Sequence, residues 1–337
     1  MKILLVKLSS LGDVVHTLPV VQDILAAMPD AQVDWVVENA FAPLLSLSAG
    51  LHRVIPCEIR RWRKSIWSAA TRREWRAFKA QLQLEAYDAV IDLQGLSKSA
   101  VVSWLARLAP GGKRYAMANQ TEGSAYEAPT RWVADVALQM QPHIHAVQRS
   151  RELASRALGH AIESSPNFGL NLPVVQSSRL HFAIKNVAFI HGTSRADKAW
   201  PIQHWVELGQ RLNASGHRIV LVHGNASELA VSQAIGQQLG AAHCVVWPQM
   251  SLDELTRQLA QCAGVIGVDS GVSHIAVALG LPHVQIYNFD TAWRTGPEML
   301  SSRASADGSR QRSVFAQPEP AVDAVWRVWQ ACAGSPP

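Results

Sequence analysis

The chain has 337 residues, of which 48% are hydrophobic and 17% are charged. A chain of this length and composition can bury the cores of two ordinary domains, which excludes a generally disordered protein. Its formal net charge of +5 favours an anionic partner but does not choose among nucleic acid, a phosphate ligand and a membrane surface.

The sequence carries no sign of secretion or of a membrane span. Lys7 and Asp13 interrupt the apolar N-terminal stretch, which argues against a signal peptide. No segment reaches the roughly 18 apolar residues of a spanning helix, so any membrane contact should be peripheral. The cysteines form no C-x-x-C pair and are typical of reduced, mostly buried thiols in a cytosolic protein. They are Cys57, Cys244, Cys262 and Cys332.

The first half of the chain alternates between strand and helix patterns. A continuous apolar run at residues 2–8 predicts a strand buried on both faces, and residues 14–29 have helical spacing. Further elements follow in the same alternation, with strands at residues 32–38 and 87–95 and a helix at residues 97–109. Such alternation implies βαβ units and a parallel sheet.

The segment SSLGD at residues 9–13 places a carboxylate, Asp13, in a small polar turn between the first strand and the first helix. Turn-forming preferences explain the serines and the glycine. They give no structural reason for the acid, so Asp13 is a candidate functional residue.

The second half repeats the alternation. Residues 116–145 are polar with weak periodicity, and residues 163–178 collect the turn residues typical of an interdomain linker. A second Rossmann-like series follows, and a capping box formed by Ser251 and Glu254 opens one of its helices. Its strands are predicted at residues 186–192, 217–224, 264–271 and 282–288, and its helices at residues 202–216, 251–264, 272–280 and 319–334.

Two common nucleotide-binding motifs are missing from the sequence. Neither G-x-G-x-x-G nor G-x-x-x-x-G-K-[ST] occurs, which counts against an NAD-dependent dehydrogenase and against a P-loop kinase or NTPase. Ligands of parallel sheets bind at the carboxyl ends of the strands, so with two such domains we expect the site in the cleft that they form.

The turn at Asp269, Ser270 and Gly271 has the chemistry of a phosphate site. It joins a strand to a helix that starts near Val272, and the free N–H groups of a first helical turn suit an anion. His274 adds a further hydrogen-bonding side chain. The alternative is that Asp269 and Ser270 only cap the helix and that His274 is a core histidine.

Two more loops of the second half carry polar side chains. The loop after residues 186–192 offers two hydroxyls and two cations, as a diphosphate requires. These are Thr193, Ser194, Arg195 and Lys198. Glu228, in the next loop, would accept hydrogen bonds from ribose hydroxyls. The alternatives are a solvated loop and a surface acid at a helix start.

The first half contains a dense basic cluster, which consists of Arg60, Arg61, Arg63 and Lys64. It favours an acidic ligand, and Trp62 within it is suited to a wet interface. A nucleic-acid patch would look similar, but no recognition motif accompanies it. His143 and His145 suggest a metal site, but no third candidate ligand occurs at a spacing typical of metal-binding motifs.

Taken together, these segments resemble the bacterial heptosyltransferases of lipopolysaccharide core synthesis, glycosyltransferase family 9. The resemblance covers nearly the whole chain, through MKILLVKLSSLGDVVHTLP, RRWRK, YDAVIDLQGLSKSA, HAVQRSREL, DKAWP and VDSGVSH. The segments KLSSLGDVVHTLP and RRWRK are more similar to the type-I than to the type-II members of the family.

The resemblance implies an α/β protein with the GT-B fold, in which two Rossmann-like domains with parallel sheets face a central cleft. It implies an acceptor-binding domain at residues 1–165, a linker at 166–185 and a domain for ADP-heptose at 186–320. A C-terminal helix at residues 321–337 would cross back to the first domain.

The implied reaction moves L-glycero-D-manno-heptose from ADP-heptose to the first Kdo of Kdo2-lipid A, with inversion at the anomeric carbon. The enzyme would be a cytoplasmic monomer, peripheral on the anionic inner face of the cytoplasmic membrane, with no cofactor, no metal requirement and no nucleic-acid partner. The alternatives are a family member with another acceptor, as in type II, and a non-catalytic binder of nucleotide or nucleic acid.

The resemblance also assigns residue roles. Asp13 matches the catalytic acid of the family and would take the proton of the acceptor hydroxyl. Lys198 would neutralise the charge that builds up on the leaving diphosphate. The donor-binding residues would be Thr193, Ser194, Lys198, Glu228, Asp269, Ser270, Gly271 and His274. The acceptor-binding residues would be Ser10, Arg60, Arg61, Arg63 and Lys64.

The chain departs from the family pattern in three places. Ser270 stands where threonine is usual, a change that keeps the hydroxyl. The segment QTEGSAYEAP at residues 120–129 lacks the arginine that family members commonly carry there. Asn288 and Phe289 replace a common Gly-Pro pair.

Overall fold

The structure is a computed structural model that describes residues 1–162, 165–172, 185–297 and 309–334. The chain forms two compact units, Met1–Asn171 and Leu172–Pro337. The predicted linker at residues 166–185 lies largely outside the described residues.

The first unit is a six-stranded parallel sheet in the order β3-β2-β1-β4-β5-β6. Its strands are β1 (Lys2–Val6), β2 (Gln32–Glu38), β3 (Leu51–Cys57), β4 (Ala86–Asp92), β5 (Arg107–Met117) and β6 (Val136–Leu138). Its helices are α1 (Leu11–Ala27), α2 (Ala42–Leu45), α3 (Ile59–Trp62), α4 (Ala69–Leu82), α5 (Ser97–Leu105), α6 (Pro129–Val133) and α7 (Ala146–Leu158). The apolar residues of β1 are completely buried between β2 and β4, as the continuous apolar run predicted.

The second unit has a second six-stranded parallel sheet, in the order β12-β11-β10-β7-β8-β9. Its strands are β7 (Lys185–Ile190), β8 (His217–Leu221), β9 (Cys244–Val246), β10 (Gly264–Val268), β11 (His283–Tyr287) and β12 (Gln311–Phe315). Its helices are α8 (Ile202–Ala214), α9 (Ala226–Leu239), α10 (Leu252–Leu259), α11 (Gly271–Ala278), α12 (Ala292–Thr295) and α13 (Val322–Gly334). The prediction of an α/β protein with parallel sheets is confirmed.

Both sheets have the Rossmann strand order. Numbered within its own unit, each sheet reads 3-2-1-4-5-6, so its topological switch point lies where strands one and four meet. These strands are β1 and β4 in the first unit and β7 and β10 in the second. The loops at their carboxyl ends are therefore the places to look for a ligand site.

The C-terminal helix α13 completes the core of the second unit. Val325, Trp329 and Cys332 are buried in the same cluster as residues of β7, β10 and β11. The predicted crossing of this helix to the first domain stays a prediction, and residues 335–337 lie outside the described part of the chain.

All four cysteines are buried, as predicted. Burial raises the pKa of the Cys57 and Cys262 thiols to about 12 and that of Cys244 to about 11. These thiols are therefore protonated and unreactive at neutral pH. No helix in the described ranges is both long enough and apolar enough to cross a bilayer.

The structure corrects the predicted end of the helix that follows β4. The helix predicted at residues 97–109 ends at Leu105, and the chain continues as β5 from Arg107. The helix stops because Ala106, its C-cap residue, has an extended backbone conformation, and the chain that follows pairs with β4 as a strand.

Candidate active site

Asp13 lies in the first turn of α1, because the helix begins at Leu11 and not at Val14. Its Oδ2 accepts hydrogen bonds from the backbone N of Ser10 at 2.9 Å and from Ser10 Oγ at 3.0 Å. This is the carboxylate half of a capping box. The prediction that the acid has no structural reason to stand there is wrong, because it also stabilises the start of α1.

A buried lysine lies beside Asp13. The Nζ of Lys7 is 3.7 Å from Asp13 Oδ1 and donates to the carbonyl oxygen of Leu93 at 2.8 Å. The Lys7 side chain is only 2% exposed, whereas that of Asp13 is 35% exposed. Asp13 therefore presents its carboxylate to solvent with a cation held behind it.

The two charges shift each other's pKa. Burial lowers the pKa of Lys7 to about 8, an effect that the Asp13 carboxylate partly opposes. Burial raises the pKa of Asp13, but Lys7 and the hydrogen bonds from Ser10 more than offset this and leave the pKa below its usual value. Asp13 is consequently ionised at neutral pH. Sequence reasoning missed Lys7, although a lysine that ends a fully buried strand is a recognisable signal.

The neighbouring strand β4 holds the Ser9–Ser10 segment in place. The buried Asp92, at the end of β4, accepts hydrogen bonds from the backbone N of Gln94 and Gly95. Gln94 Oε1 in turn accepts from the backbone N of Leu8 and of Ser9 at 3.1 and 3.0 Å. This network fixes the loop that carries Ser10 and leads to Asp13.

The basic cluster divides into paired and unpaired members. Arg61 forms ion pairs with Glu58 and Glu74, so it has a structural use besides its predicted role in acceptor binding. Arg60, Arg63 and Lys64 are exposed, and within the described ranges none of them has a carboxylate within ion-pair distance. The cluster thus offers three cations to an anionic ligand.

The prediction that Trp62 lies at a wet interface is wrong. It is 6% exposed and packs edge-on against Trp75, with ring centroids 5.6 Å apart, and also against Phe78. Its Nε1 donates to Glu74 at 2.8 Å. The expectation failed because α4 folds its apolar face over this side chain, which local sequence does not reveal.

In the second unit, Lys198 and Asp269 come together at the switch point. Lys198 ends a 3₁₀ turn, Ala196–Lys198, after β7, and its Nζ forms an ion pair with Asp269 Oδ2. The other carboxylate oxygen of Asp269 lies 3.4 Å from Nε2 of His274, on α11. Asp269 follows β10, so loops that are distant in sequence meet as the strand order requires.

Asp269 does more than cap a helix. Burial raises its pKa, but His274 and Lys198 more than offset that effect and hold the pKa far below its usual value. Ser270 is the N-cap residue of α11, with its Oγ 3.4 Å from that of Ser273, and Gly271 is the first helical residue. The Asp269 carboxylate is therefore directed at the side chains of Lys198 and His274.

A cavity of about 520 Å³ adjoins these loops and has the size of a small-ligand site. Its lining includes Gly192, Thr193, Trp200 and Glu228. Glu228 accepts a hydrogen bond from the backbone N of Gly224 at 2.7 Å. A Cβ on Gly192 would stand 2.7 Å from the Glu228 carboxyl carbon, so only glycine permits this approach.

Two other polar residues of the loop after β7, Ser194 and Arg195, lie at the surface. Ser194 is exposed on the same loop. Arg195 forms an ion pair with Asp197 and lies over the ring of Phe289, 5.4 Å from its centroid. Lys198 is therefore the cation of the loop that reaches the buried acid.

A family model described as glycosyltransferase family 9 (heptosyltransferase) matches residues 75–314. The chain belongs to glycosyltransferase family 9.

The chain is 40% identical over 298 residues to lipopolysaccharide heptosyltransferase 1 of Escherichia coli strain K12, which covers 85% of this chain and 88% of that relative. The solved structure of E. coli heptosyltransferase WaaC with ADP superposes with a TM-score of 0.83 at 35% identity and covers 97% of this chain and 98% of that chain. WaaC with ADP-2-deoxy-2-fluoro heptose gives a TM-score of 0.79, again at 35% identity, with the same coverage.

These findings confirm the predicted GT-B fold, the recognised family and its enzyme class. This family-9 protein is a glycosyltransferase. The histidines noted for a metal have separate uses, since His143 lies 2.8 Å from Glu122 Oε2 and His145 caps α7 through Val147 N. Among the described residues, no group of three or more His, Cys, Asp or Glu side chains is arranged to hold a metal ion.

Proposed function

We propose that the protein transfers L-glycero-D-manno-heptose from ADP-heptose to the first Kdo of Kdo2-lipid A, with inversion at the anomeric carbon, in synthesis of the lipopolysaccharide inner core. The observation that carries the proposal is the pairing of an acid with a cation at both switch points. Asp13 lies beside Lys7, and Asp269 beside Lys198. The likeness to a lipopolysaccharide heptosyltransferase 1 and to WaaC structures with ADP and an ADP-heptose analogue supports an ADP-heptose donor and transfer in lipopolysaccharide synthesis.

Asp13 is the proposed general base. It takes the proton of the acceptor hydroxyl while that oxygen bonds to the anomeric carbon and the bond from this carbon to the diphosphate breaks. The low pKa of Asp13 keeps it ionised at neutral pH. Proton transfer becomes favourable only as the hydroxyl gains acidity during attack, so the base acts late in the transition state.

Lys198 is the proposed group that stabilises the leaving ADP. Its ammonium exchanges Asp269 for a diphosphate oxygen when the donor binds, and Asp269 then accepts hydrogen bonds from heptose hydroxyls. Thr193 and Ser194 hold the phosphates, and Glu228 receives the ribose in the cavity beside α9. Ser270, Gly271 and His274 complete the donor site. The proposal gives no part to a cofactor or a metal, so a chelator should leave the rate unchanged.

The proposed setting is the inner face of the cytoplasmic membrane, where a monomer meets its lipid acceptor. The alternative within the family is a type-II acceptor, which already carries one heptose. A competition assay with Kdo2-lipid A and its monoheptosylated form separates the two. We expect only Kdo2-lipid A to be consumed, and preferential use of the heptosylated lipid would reject the type-I assignment.

A non-catalytic binder of nucleotide or nucleic acid is the alternative from another class. Family membership disfavours it, and so does an ionised acid at the loop that would face the ligand. Salt titrations of binding to a random oligonucleotide and to ADP discriminate, because a nucleic-acid binder shows steep salt dependence with the oligonucleotide.

Replacing Lys7 by methionine should raise the pKa of Asp13, because burial then acts without the opposing cation. Transfer requires ionised Asp13, so kcat/KM falls as the pH drops through this pKa. The acidic limb of the profile should therefore lie at higher pH in Lys7→Met than in wild type. The control is Lys2→Met at the start of β1, where Lys2 pairs with Glu85 at the surface. Superimposable profiles for wild type and Lys7→Met would show that Lys7 does not tune the base.

Replacing Arg60 and Arg63 together by alanine should raise the KM for the lipid acceptor strongly and leave ADP affinity unchanged. Both side chains are exposed and belong to the first unit, so their charge is available to an anionic acceptor. Added salt should weaken acceptor binding by the wild type, so that its KM for the acceptor approaches that of the double variant. Titrations with acceptor and with ADP test this expectation.

Arg61→Ala is the matched control for the double variant, because Arg61 is already paired with Glu58 and Glu74. It should change the acceptor KM less than the double substitution does. Equal losses of acceptor and ADP binding in Arg60→Ala with Arg63→Ala would mean that these residues support the fold or the donor site.

A further inference from the structure

The first unit contains a groove whose apolar lining has no part in the proposed reaction. It has a volume of about 940 Å³ and lies along α3, α4 and α5. Its apolar lining consists of Ile59, Trp62, Ile66, Ala69, Trp75 and Val101.

Large apolar side chains stand exposed at and beside the groove. Trp67 is 83% exposed, Trp104 is 65%, Ile66 is 53% and Val101 is 45%. Val101 and Trp104 are three residues apart on α5 and so share a face of that helix. Isolated exposed apolar residues are common, but a group around one apolar groove marks an interaction surface.

The same groove is lined by cations. Arg63, Arg72, Arg76 and Lys98 belong to its lining, and none of the described residues that line it is acidic. Arg60 and Lys64, of the basic cluster, are exposed nearby in the chain. An apolar centre with a cationic rim complements an anionic bilayer, where apolar side chains enter the interface and cations meet headgroup phosphates. Tryptophan in particular favours the membrane–water interface.

We propose that this surface, formed by Ile66, Trp67, Val101 and Trp104 with the cations of the groove, docks on the anionic face of a phospholipid bilayer. This inference rests on the proposed function only because the bilayer is where the enzyme would meet its lipid acceptor. A second copy of the chain fits less well, because a symmetric contact would set the same cations against each other. A single acyl chain in the groove would leave Trp67 and Trp104 uncovered, since neither lines it.

The test is co-sedimentation of the full chain with vesicles that contain no acceptor. Wild type should bind phosphatidylethanolamine–phosphatidylglycerol vesicles, bind phosphatidylcholine vesicles far less, and lose affinity in added salt. Trp67→Ala with Trp104→Ala should weaken binding to the anionic vesicles by about tenfold or more, since two large apolar side chains no longer insert. Both tryptophans are exposed, so thermal unfolding and ADP affinity should not change.

Phe315→Ala is the matched control, because Phe315 is an exposed aromatic residue, 43% exposed, on β12 of the second unit. It should bind vesicles like wild type. Equal binding by the tryptophan double variant and wild type would overturn the proposal, and so would equal binding to neutral and anionic vesicles. A tryptophan-dependent dimer without vesicle binding would assign the surface to a second copy. Binding that requires acceptor in the vesicle would assign it to acceptor capture. Vesicle binding without transfer to Kdo2-lipid A would leave this inference standing and reject the proposed function.

Discussion

Asp13→Asn should slow heptosyl transfer by roughly 10²- to 10⁴-fold while ADP affinity stays unchanged. The amide cannot accept the proton of the acceptor hydroxyl as the carboxylate does. It retains a side-chain oxygen for the hydrogen bonds from Ser10, so the start of α1 should persist. Single-turnover kinetics and calorimetry with ADP measure the two effects separately.

The capping role of Asp13 makes a stability control necessary. Asp30→Asn removes an exposed carboxylate from the loop after α1 and should change neither rate nor stability. If Asp13→Asn transferred heptose at a rate within about threefold of wild type, the loss would be far smaller than a general base contributes. Asp13 would then be a capping residue only. A large fall in thermal stability together with lost ADP binding would equally assign the defect to folding.

Lys198→Ala should weaken ADP binding about tenfold or more and slow transfer by roughly 10²- to 10³-fold. The larger effect on the rate is expected because charge accumulates on the diphosphate as the anomeric bond breaks. The substitution also removes the lysine partner of the buried Asp269 and leaves it with His274 and Thr295. The pKa of Asp269 should therefore rise.

Arg195→Ala provides the comparison for Lys198→Ala within the same loop. Arg195 is held by Asp197 and by the ring of Phe289. Its replacement should therefore reduce ADP affinity and the transfer rate less than Lys198→Ala does. An unchanged rate in Lys198→Ala, with a lower thermal midpoint, would make the Lys198–Asp269 pair structural. The proposal requires the rate to fall even at saturating ADP-heptose.

The central strands of both sheets were predictable because burial on both faces leaves a continuous apolar run. β1 and β10 show this pattern, and β2 shows it except at the buried Asp34. The outer strands were missed for the opposite reason. β9 has only three residues, and β12 reads QRSVF with a single buried side chain, so neither differs clearly from a loop in sequence.

Much of the candidate site followed from one rule, that ligand loops sit at the carboxyl ends of parallel strands. The positions of Asp13, Lys198 and Asp269 were predictable in this way. Their partners were not, since the contact of Lys7 with Asp13 depends on how a buried side chain turns at the end of β1. The pairing of Arg61 with Glu74 likewise depends on how α4 packs, which no local pattern contains.

The most direct test is the mass of the product formed from purified protein, ADP-heptose and Kdo2-lipid A. We predict that the lipid gains the mass of one heptosyl residue, that ADP appears in equal amount, and that the new linkage has the anomeric configuration opposite to that of the donor. Release of ADP with no change in lipid mass, or transfer with retained configuration, would contradict the proposed reaction.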